Sequence, residues 1–394
     1  MSEEKGKQAP KNTVKRLLRI PLVRILGLAV LIVLLIVAIA VVLGGVKKRD
    51  VKTAQEDYVL SAGPGELIDM QAFDGGIAVL QSNALSYVDD LGVGISENEH
   101  AYANPVLRTA GRRALLFDRG GNLLRLEKNA ETLRELPLDA AITTADLCGN
   151  GTYAYVLNAH EGYQSHFFVY DEKDEKLFEW GSATDYVTLA RLSKNGKKAI
   201  LVSFVAENAE FSSKVTAFDF GASDPIFSVE LQKTTVFAVK FLSGSSVAVF
   251  ADNGVYRLNR KGEVETIQAY SPTEINCAAV SNADLNALSL NLYGNEHNAQ
   301  IILYNRGLRE IGKYEGGSTV TGLTSDNRHV AVVSGNQVQI LSRNSAARTI
   351  SLEEICTKCV LRRNSVFVLT PGGVRLYSIF GSDTGNAFLK KTEQ

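Results

Sequence analysis

The chain is poor in the residues that staple small folds or mark familiar active sites. It has four cysteines, one tryptophan and five histidines among 394 residues. Four scattered thiols (Cys148, Cys277, Cys356, Cys359) cannot frame a disulfide scaffold. The core must be held by apolar burial, which 45% hydrophobic residues allow. Catalytic signatures are also missing. There is no Gly-x-Ser-x-Gly elbow, no phosphate loop, no dinucleotide fingerprint and no His-Glu-x-x-His. Cys356 and Cys359 form the one close cysteine pair, but a structural zinc site needs a second pair or two suitably spaced histidines. If both lie in one strand, their Cα atoms are about 10 Å apart, whereas a disulfide tolerates less than about 7 Å. They read as structural cysteines, with a redox pair as the other reading. No catalytic residue, metal or cofactor is expected.

Excess positive charge is lacking too. The formal net charge is −1, and residues 1–24 hold seven basic and two acidic side chains, so the rest carries −6. Nucleic-acid binding needs a basic patch that displaces phosphate counterions. A nucleic-acid partner is therefore not expected.

Polar side chains are absent altogether from residues 25–46, which contain only Leu, Ile, Val, Ala and Gly. About 20 such residues cross a bilayer as a helix. The basic flank is heavier before this run than after it, where Lys47, Lys48, Arg49 and Lys52 stand. Basic residues stay on the cytoplasmic side. The sequence thus predicts a cytoplasmic tail (1–24), a transmembrane helix (25–46), a linker (47–56), an extracytoplasmic domain (57–385) and a C-terminal tail (386–394). The bilayer is the first expected partner, and the location is a cell membrane, crossed once. A cleaved signal peptide is the competing reading, but its apolar region runs only about 7–15 residues.

Beyond residue 60 helical periodicity is missing, and a repeat takes its place. Short alternating segments end in an aromatic or Leu, then a polar residue and a turn. Examples are Tyr87-Val88-Asp89, Phe117-Asp118, Tyr170-Asp171, Phe218-Asp219, Leu258-Asn259, Tyr304-Asn305, Leu341-Ser342 and Tyr377-Ser378. The marker positions 87, 117, 170, 218, 258, 304, 341 and 377 are spaced by 30 to 53 residues. A period of about 40–45 with four strands per unit signals a β-propeller. The expectation is an all-β propeller of eight blades, with seven as the alternative and a pair of β-sandwiches as the competing fold. The last unit lacks a fourth strand. Residues 57–61 are expected to supply it and close the ring.

Val169-Tyr170-Asp171 followed by Leu177-Phe178-Glu179-Trp180 resembles the outer hairpin of quinoprotein-type repeats, although the Trp occurs once. Ser193-Lys194-Asn195-Gly196-Lys197 resembles a turn of Trp-Asp-type repeats without the Trp-Asp dipeptide. The basic tail, the single apolar run and the start Gly65-Glu66-Leu67-Ile68-Asp69-Met70-Gln71-Ala72-Phe73 resemble a domain-of-unknown-function family of single-pass Gram-positive proteins. That resemblance implies an external propeller and carries over no functional residue.

Three insertions stretch the repeat: 158–166, 205–213 and 293–299. Each is expected to join the second strand of a blade to the third, on one common face. They supply the candidate binding residues His160, Tyr163, His166, Glu207, Phe211, Tyr293 and His297. The function these features imply is a non-catalytic scaffold or sensor that binds a protein or cell-wall partner outside the membrane. The alternative is a quinoprotein-like oxidoreductase or a wall- or sugar-acting hydrolase that uses the central channel.

Overall fold

A computed structural model describes residues 58–392, apart from 64, 208–209, 271–272, 281–283, 293–294 and 344–345. The tail, span and linker expected over residues 1–56 lie outside the described residues. Among the described residues no helix is long and apolar enough to cross a membrane.

The described chain forms eight antiparallel sheets, one per blade. Blades 1 to 7 occupy residues 67–99, 105–137, 142–182, 186–231, 236–269, 273–316 and 322–351. Blade 8 takes three strands from 358–378 and its fourth from Leu60–Ser61. The innermost strand of blade 1 lies beside those of blades 2 and 8, so the ring closes on itself. The only helical turn among the described residues is the 3-10 turn Ser243–Ser245. The fold is the eight-bladed all-β propeller that the repeat predicted.

The apolar core is not one mass. It divides into eight clusters, each lying between two neighbouring blades. One, for example, joins Ile200, Val202 and Val215 of blade 4 to Val239, Val247 and Val249 of blade 5. The middle strands of a blade are buried on both faces, so they read as unbroken runs such as Ile77-Ala78-Val79-Leu80.

The repeat marker has a local cause. An Asp or Asn ends the third strand, and its side-chain oxygen accepts backbone N–H groups two and four residues on, which builds the turn to the fourth strand. Asp89 accepts from Leu91 and Val93, both at 2.8 Å. Asp171 accepts from Lys173 and Glu175 at 2.8 and 2.9 Å. Asn259 and Asn305 do the same for Lys261 and Glu263, and for Gly307 and Arg309. The residue just before this turn packs on the preceding blade, as Leu258 and Tyr304 do. Replacing Asn305 with Ala removes two such bonds. We expect a loss of about 1 kcal/mol for this turn, readable as a lowered urea midpoint, with little change in any other blade.

Two markers are corrected. In blade 1 the residue that packs on the preceding blade is Val88, while Tyr87 points the other way, towards blade 2. Phe117 lies on Arg113–Asp118, the second strand of blade 2, rather than on a third strand. The Asp118 carboxylate accepts the N–H of Asn104, fourteen residues back, rather than N–H groups two and four residues on. The true third strand of blade 2, Leu123–Lys128, turns through Asn129 and Ala130, both left-handed, and so lacks the motif. This displaced marker produced the 30- and 53-residue spacings.

Both ends of the described chain reinforce the ring. Leu60 pairs with Val374 and Ser61 with Gly373, as expected for the closing strand. Gly373 is required here: its φ is +148°, and a Cβ would run into the Leu60 carbonyl and the Tyr58 ring. The segment read as a C-terminal tail is docked over part of its length. The chain leading into it crosses the outer edge of blade 7, where Asp383 accepts the N–H of Thr349 and Thr384 donates its own N–H to the Thr349 carbonyl. Leu389 is then buried between blades 6 and 7, and buried Gln339 meets both its N–H and its carbonyl. Finally Lys390–Lys391 adds a fifth strand to blade 6. Covering an exposed strand edge removes a site for unwanted pairing.

Candidate functional site

Over their described residues the three insertions are strand rather than loop, and they lengthen the hairpins that carry them. In blade 3 the middle strands are Tyr153–His160 and Tyr163–Tyr170. In blade 4 they are Lys198–Glu207 and Glu210–Asp219, and in blade 6 the third strand is Asn295–Tyr304. Residues expected in loops are strand partners across these hairpins, as Asn158 with Ser165 and Ala206 with Phe211 are. All three join second strand to third. Strands of a blade alternate in direction, so these tips share one end of the ring. The chain enters the closing strand at the opposite end.

The blade 3 tip brings together three of the candidates. His160 and Tyr163 flank a two-residue turn, Glu161-Gly162, with φ of 50° and 83°. Such a turn suits the twist of a hairpin. Leu157 pairs with His166, so strict alternation would put His160 on the other face of the sheet. Ala159 breaks the alternation with a φ of 50°. The rings converge as a result: His160 Nδ1 lies 2.9 Å from His166 Nδ1, and the Tyr163 ring centre lies 4.7 Å from that of His166. His166 is 1% exposed, and the Phe168 ring backs it at 4.2 Å. Its Nε2 is 2.9 Å from the Glu179 carboxylate. Lys176, and then the His166 ring, hold the Glu179 carboxyl below its ordinary range. Glu161 completes a group of three whose donor atoms all lie within 4.8 Å of one another.

The other candidates stand apart from this cluster. Phe211 is 56% exposed on the blade 4 hairpin, and its ring centre is 5.1 Å from that of Phe204. Tyr186 pairs directly with Phe204 and is exposed as well, so three aromatic rings face solvent on one blade. Glu207 ends a strand, and its side chain lies outside the described residues, as does Tyr293 altogether. His297 is exposed on blade 6, with Nδ1 3.0 Å from the Thr319 hydroxyl. The roles of Glu161, Glu179, Phe204 and Tyr186 were not read from sequence. The signal available for Phe204 was an aromatic seven residues before Phe211 in an alternating run.

The innermost strands carry charge. Lys358 of blade 8 pairs with Asp69 of blade 1. Asp146 of blade 3 accepts the Leu192 N–H at 2.7 Å and lies 3.8 Å from Arg191 of blade 4. Burial pushes the Asp146 carboxyl up against the opposing pull of Arg191. Burial likewise pulls the Arg108 guanidinium down to about 10. Lys358 with Asp69, and Asp146 with Leu192 and Arg191, tie neighbouring blades together. A cavity of about 760 Å³ opens at the chain-entry end between blades 6 and 7, among Asp284, Arg306, Arg328, His329 and Arg343. The four cysteines are free, and burial pushes the Cys356 thiol up to about 12.

The DUF5711 family, described as a family of unknown function, matches residues 53–375. No curated protein matches the chain in sequence. Several solved structures match it in fold. The C-terminal WD40 domain of Sif2 superposes with a TM-score of 0.56 at 11% identity, covering 81% of this chain and 97% of that one. A structure titled as the eukaryotic initiation factor gives 0.55 at 11%, covering 85% and 90%. The β-propeller domain of Cps50 (Swd1) from Myceliophteria thermophila gives 0.50 at 13%, covering 71% and 96%. At such identities the likeness is one of fold.

Proposed function

The chain belongs to the DUF5711 family, a family of unknown function, and we propose that it is a non-catalytic, membrane-tethered scaffold whose propeller binds a protein outside the cell membrane. The observation that carries this reading is an exposed aromatic trio on blade 4, Tyr186 on its first strand with Phe204 and Phe211 on its lengthened hairpin. Aromatic side chains bury large areas at little entropic cost and anchor protein interfaces. The blade 3 hairpin beside it extends from the same end of the ring, clear of the point where the chain enters. The tether is the apolar run 25–46, with its heavier basic flank on the cytoplasmic side. The linker 47–56 spans at most ~35 Å, which favours a partner at the membrane surface or in the wall.

The test is site-specific photocrosslinking in living cells. A photoreactive residue at position 211 should yield a discrete crosslinked protein. The same residue at position 91, exposed on an opposite-end turn of blade 1, should not. Equal products from both positions, or none from 211, would remove the reading. A cysteine placed at 211 should react with a membrane-impermeant maleimide on intact cells, and protection until lysis would reverse the assigned side.

A further inference from the structure

The blade 3 tip has the donor set and the spacing of a metal site. Two imidazole nitrogens bound to one zinc ion at about 2.0–2.1 Å each lie roughly 2.9–3.4 Å apart for bond angles near 90–110°. The His160 and His166 Nδ1 atoms are 2.9 Å apart. The third donor, the Glu161 carboxylate, lies 3.9 Å from His166 Nδ1 on an exposed side chain that is free to swing.

A second, independent observation concerns the far nitrogen of His166. Its Nε2 donates to the Glu179 carboxylate at 2.9 Å. This arrangement sets the proton on Nε2 and leaves the Nδ1 lone pair facing His160. Metal-bound histidines are oriented by a carboxylate in this way. Lys176 forms an ion pair with the same carboxylate and holds it in place behind His166. His166 is buried, so its ring cannot turn to find another partner. In the absence of an ion the two Nδ1 atoms share one hydrogen bond between them.

We propose that the blade 3 tip binds one divalent cation of the zinc class, through His160 Nδ1, His166 Nδ1 and the Glu161 carboxylate, with Glu179 as the positioning residue behind His166. Two imidazoles and one carboxylate suit zinc and its transition-metal neighbours, whereas magnesium and calcium take oxygen ligands. Three protein ligands at an exposed turn leave a coordination position for water or for a group from a binding partner. The site stands without the scaffold reading, because its test needs no partner.

The experiment uses the full chain in detergent, stripped with a chelator and titrated with Co²⁺. One ion per chain should bind with visible d–d absorption, and Zn²⁺ should displace it. His160→Gln, at a half-exposed position, should abolish the absorption, and Glu161→Gln should weaken binding. Glu179→Gln should cost about 10- to 100-fold in affinity, with the cobalt spectrum altered rather than lost. Circular dichroism confirms that each variant keeps its sheet. A wild-type chain that takes up no Co²⁺ or Zn²⁺, or folded His160→Gln and Glu161→Gln variants that bind like wild type, would overturn the site.

Discussion

Removing residues 57–61 is expected to lower the unfolding free energy by roughly 3–6 kcal/mol. Val59 and Leu60 pack into the cluster between blades 8 and 1, beside Val374 and Leu376. Full burial of an aliphatic side chain is worth about 1.5–3 kcal/mol, and these two are half-buried, so they supply the lower part of the range. Tyr58 adds a stacked contact under the Arg375 guanidinium, 4.6 Å from the ring centre, and a hydrogen bond to Glu354. The Val59 N–H also loses its 2.8 Å bond to the Val374 carbonyl. The consequence extends beyond these contacts, because a ring held shut at one blade opens there. An uncovered edge on blade 8 should also promote self-association. Urea unfolding followed by fluorescence, together with light scattering, reads both effects. Gly373→Val is the single-residue counterpart, since its side chain collides with the closing strand. Wild-type midpoints for both variants would mean that the ring is held shut by something else.

Glu127→Ala is the second change with a large expected effect, about 3–5 kcal/mol of destabilisation. Glu127 and Arg125 stand on the third strand of blade 2, at 1% and 4% exposure, and face blade 1. Arg125 Nε lies 2.8 Å from Glu127 Oε1. Tyr87 donates its hydroxyl to Glu127 Oε2 at 2.7 Å, and Asn98 donates to the same oxygen at 3.0 Å. Arg125 Nη1 donates to the Glu99 carbonyl at 2.7 Å. Burial, and then the charge of Glu127, drive the Tyr87 phenol far above its ordinary range, so it stays a donor. Removing the carboxylate strands a buried guanidinium and leaves a phenol unpaired. The double change Arg125→Met with Glu127→Leu removes both charges together. It should recover most of the loss and leave a deficit of about 1–3 kcal/mol for the Tyr87 hydroxyl. A double variant that is less stable than Glu127→Ala would show that the pair stabilises the interface in its own right. Chemical denaturation of the three chains decides between these outcomes.

This polar contact also explains where the sequence pattern failed. Elsewhere the residue before the third-strand turn is apolar or aromatic and packs on the preceding blade. Blade 2 places Arg125 and Glu127 against that neighbour and turns through Asn129 and Ala130 instead. A reader of periodicity sees no marker there and takes Phe117-Asp118 in its place. The lengthened hairpins failed for a different reason. Residues such as Glu207, Glu210 and Asn158 look like loop by composition, yet a strand that reaches past the disc is wetted on both faces and needs no apolar alternation.

By itself the sequence determined the all-β class and the propeller repeat, put eight units ahead of seven, and placed the closing strand, Leu60–Ser61, in the segment before blade 1. These are local properties: alternation, turn residues and spacing repeat along the chain and are visible without its folding. Tertiary structure alone decided three other things. The segment after residue 380 doubles back over blade 7 to blade 6, held by Gln339, a residue 50 positions from its partner. Arg125 and Glu127 meet Tyr87 because two blades face each other. The His160, Glu161, His166 group exists because one left-handed residue, Ala159, breaks the alternation of a strand. Spacing carries no trace of such meetings, since they depend on backbone twist and on which sheet lies opposite.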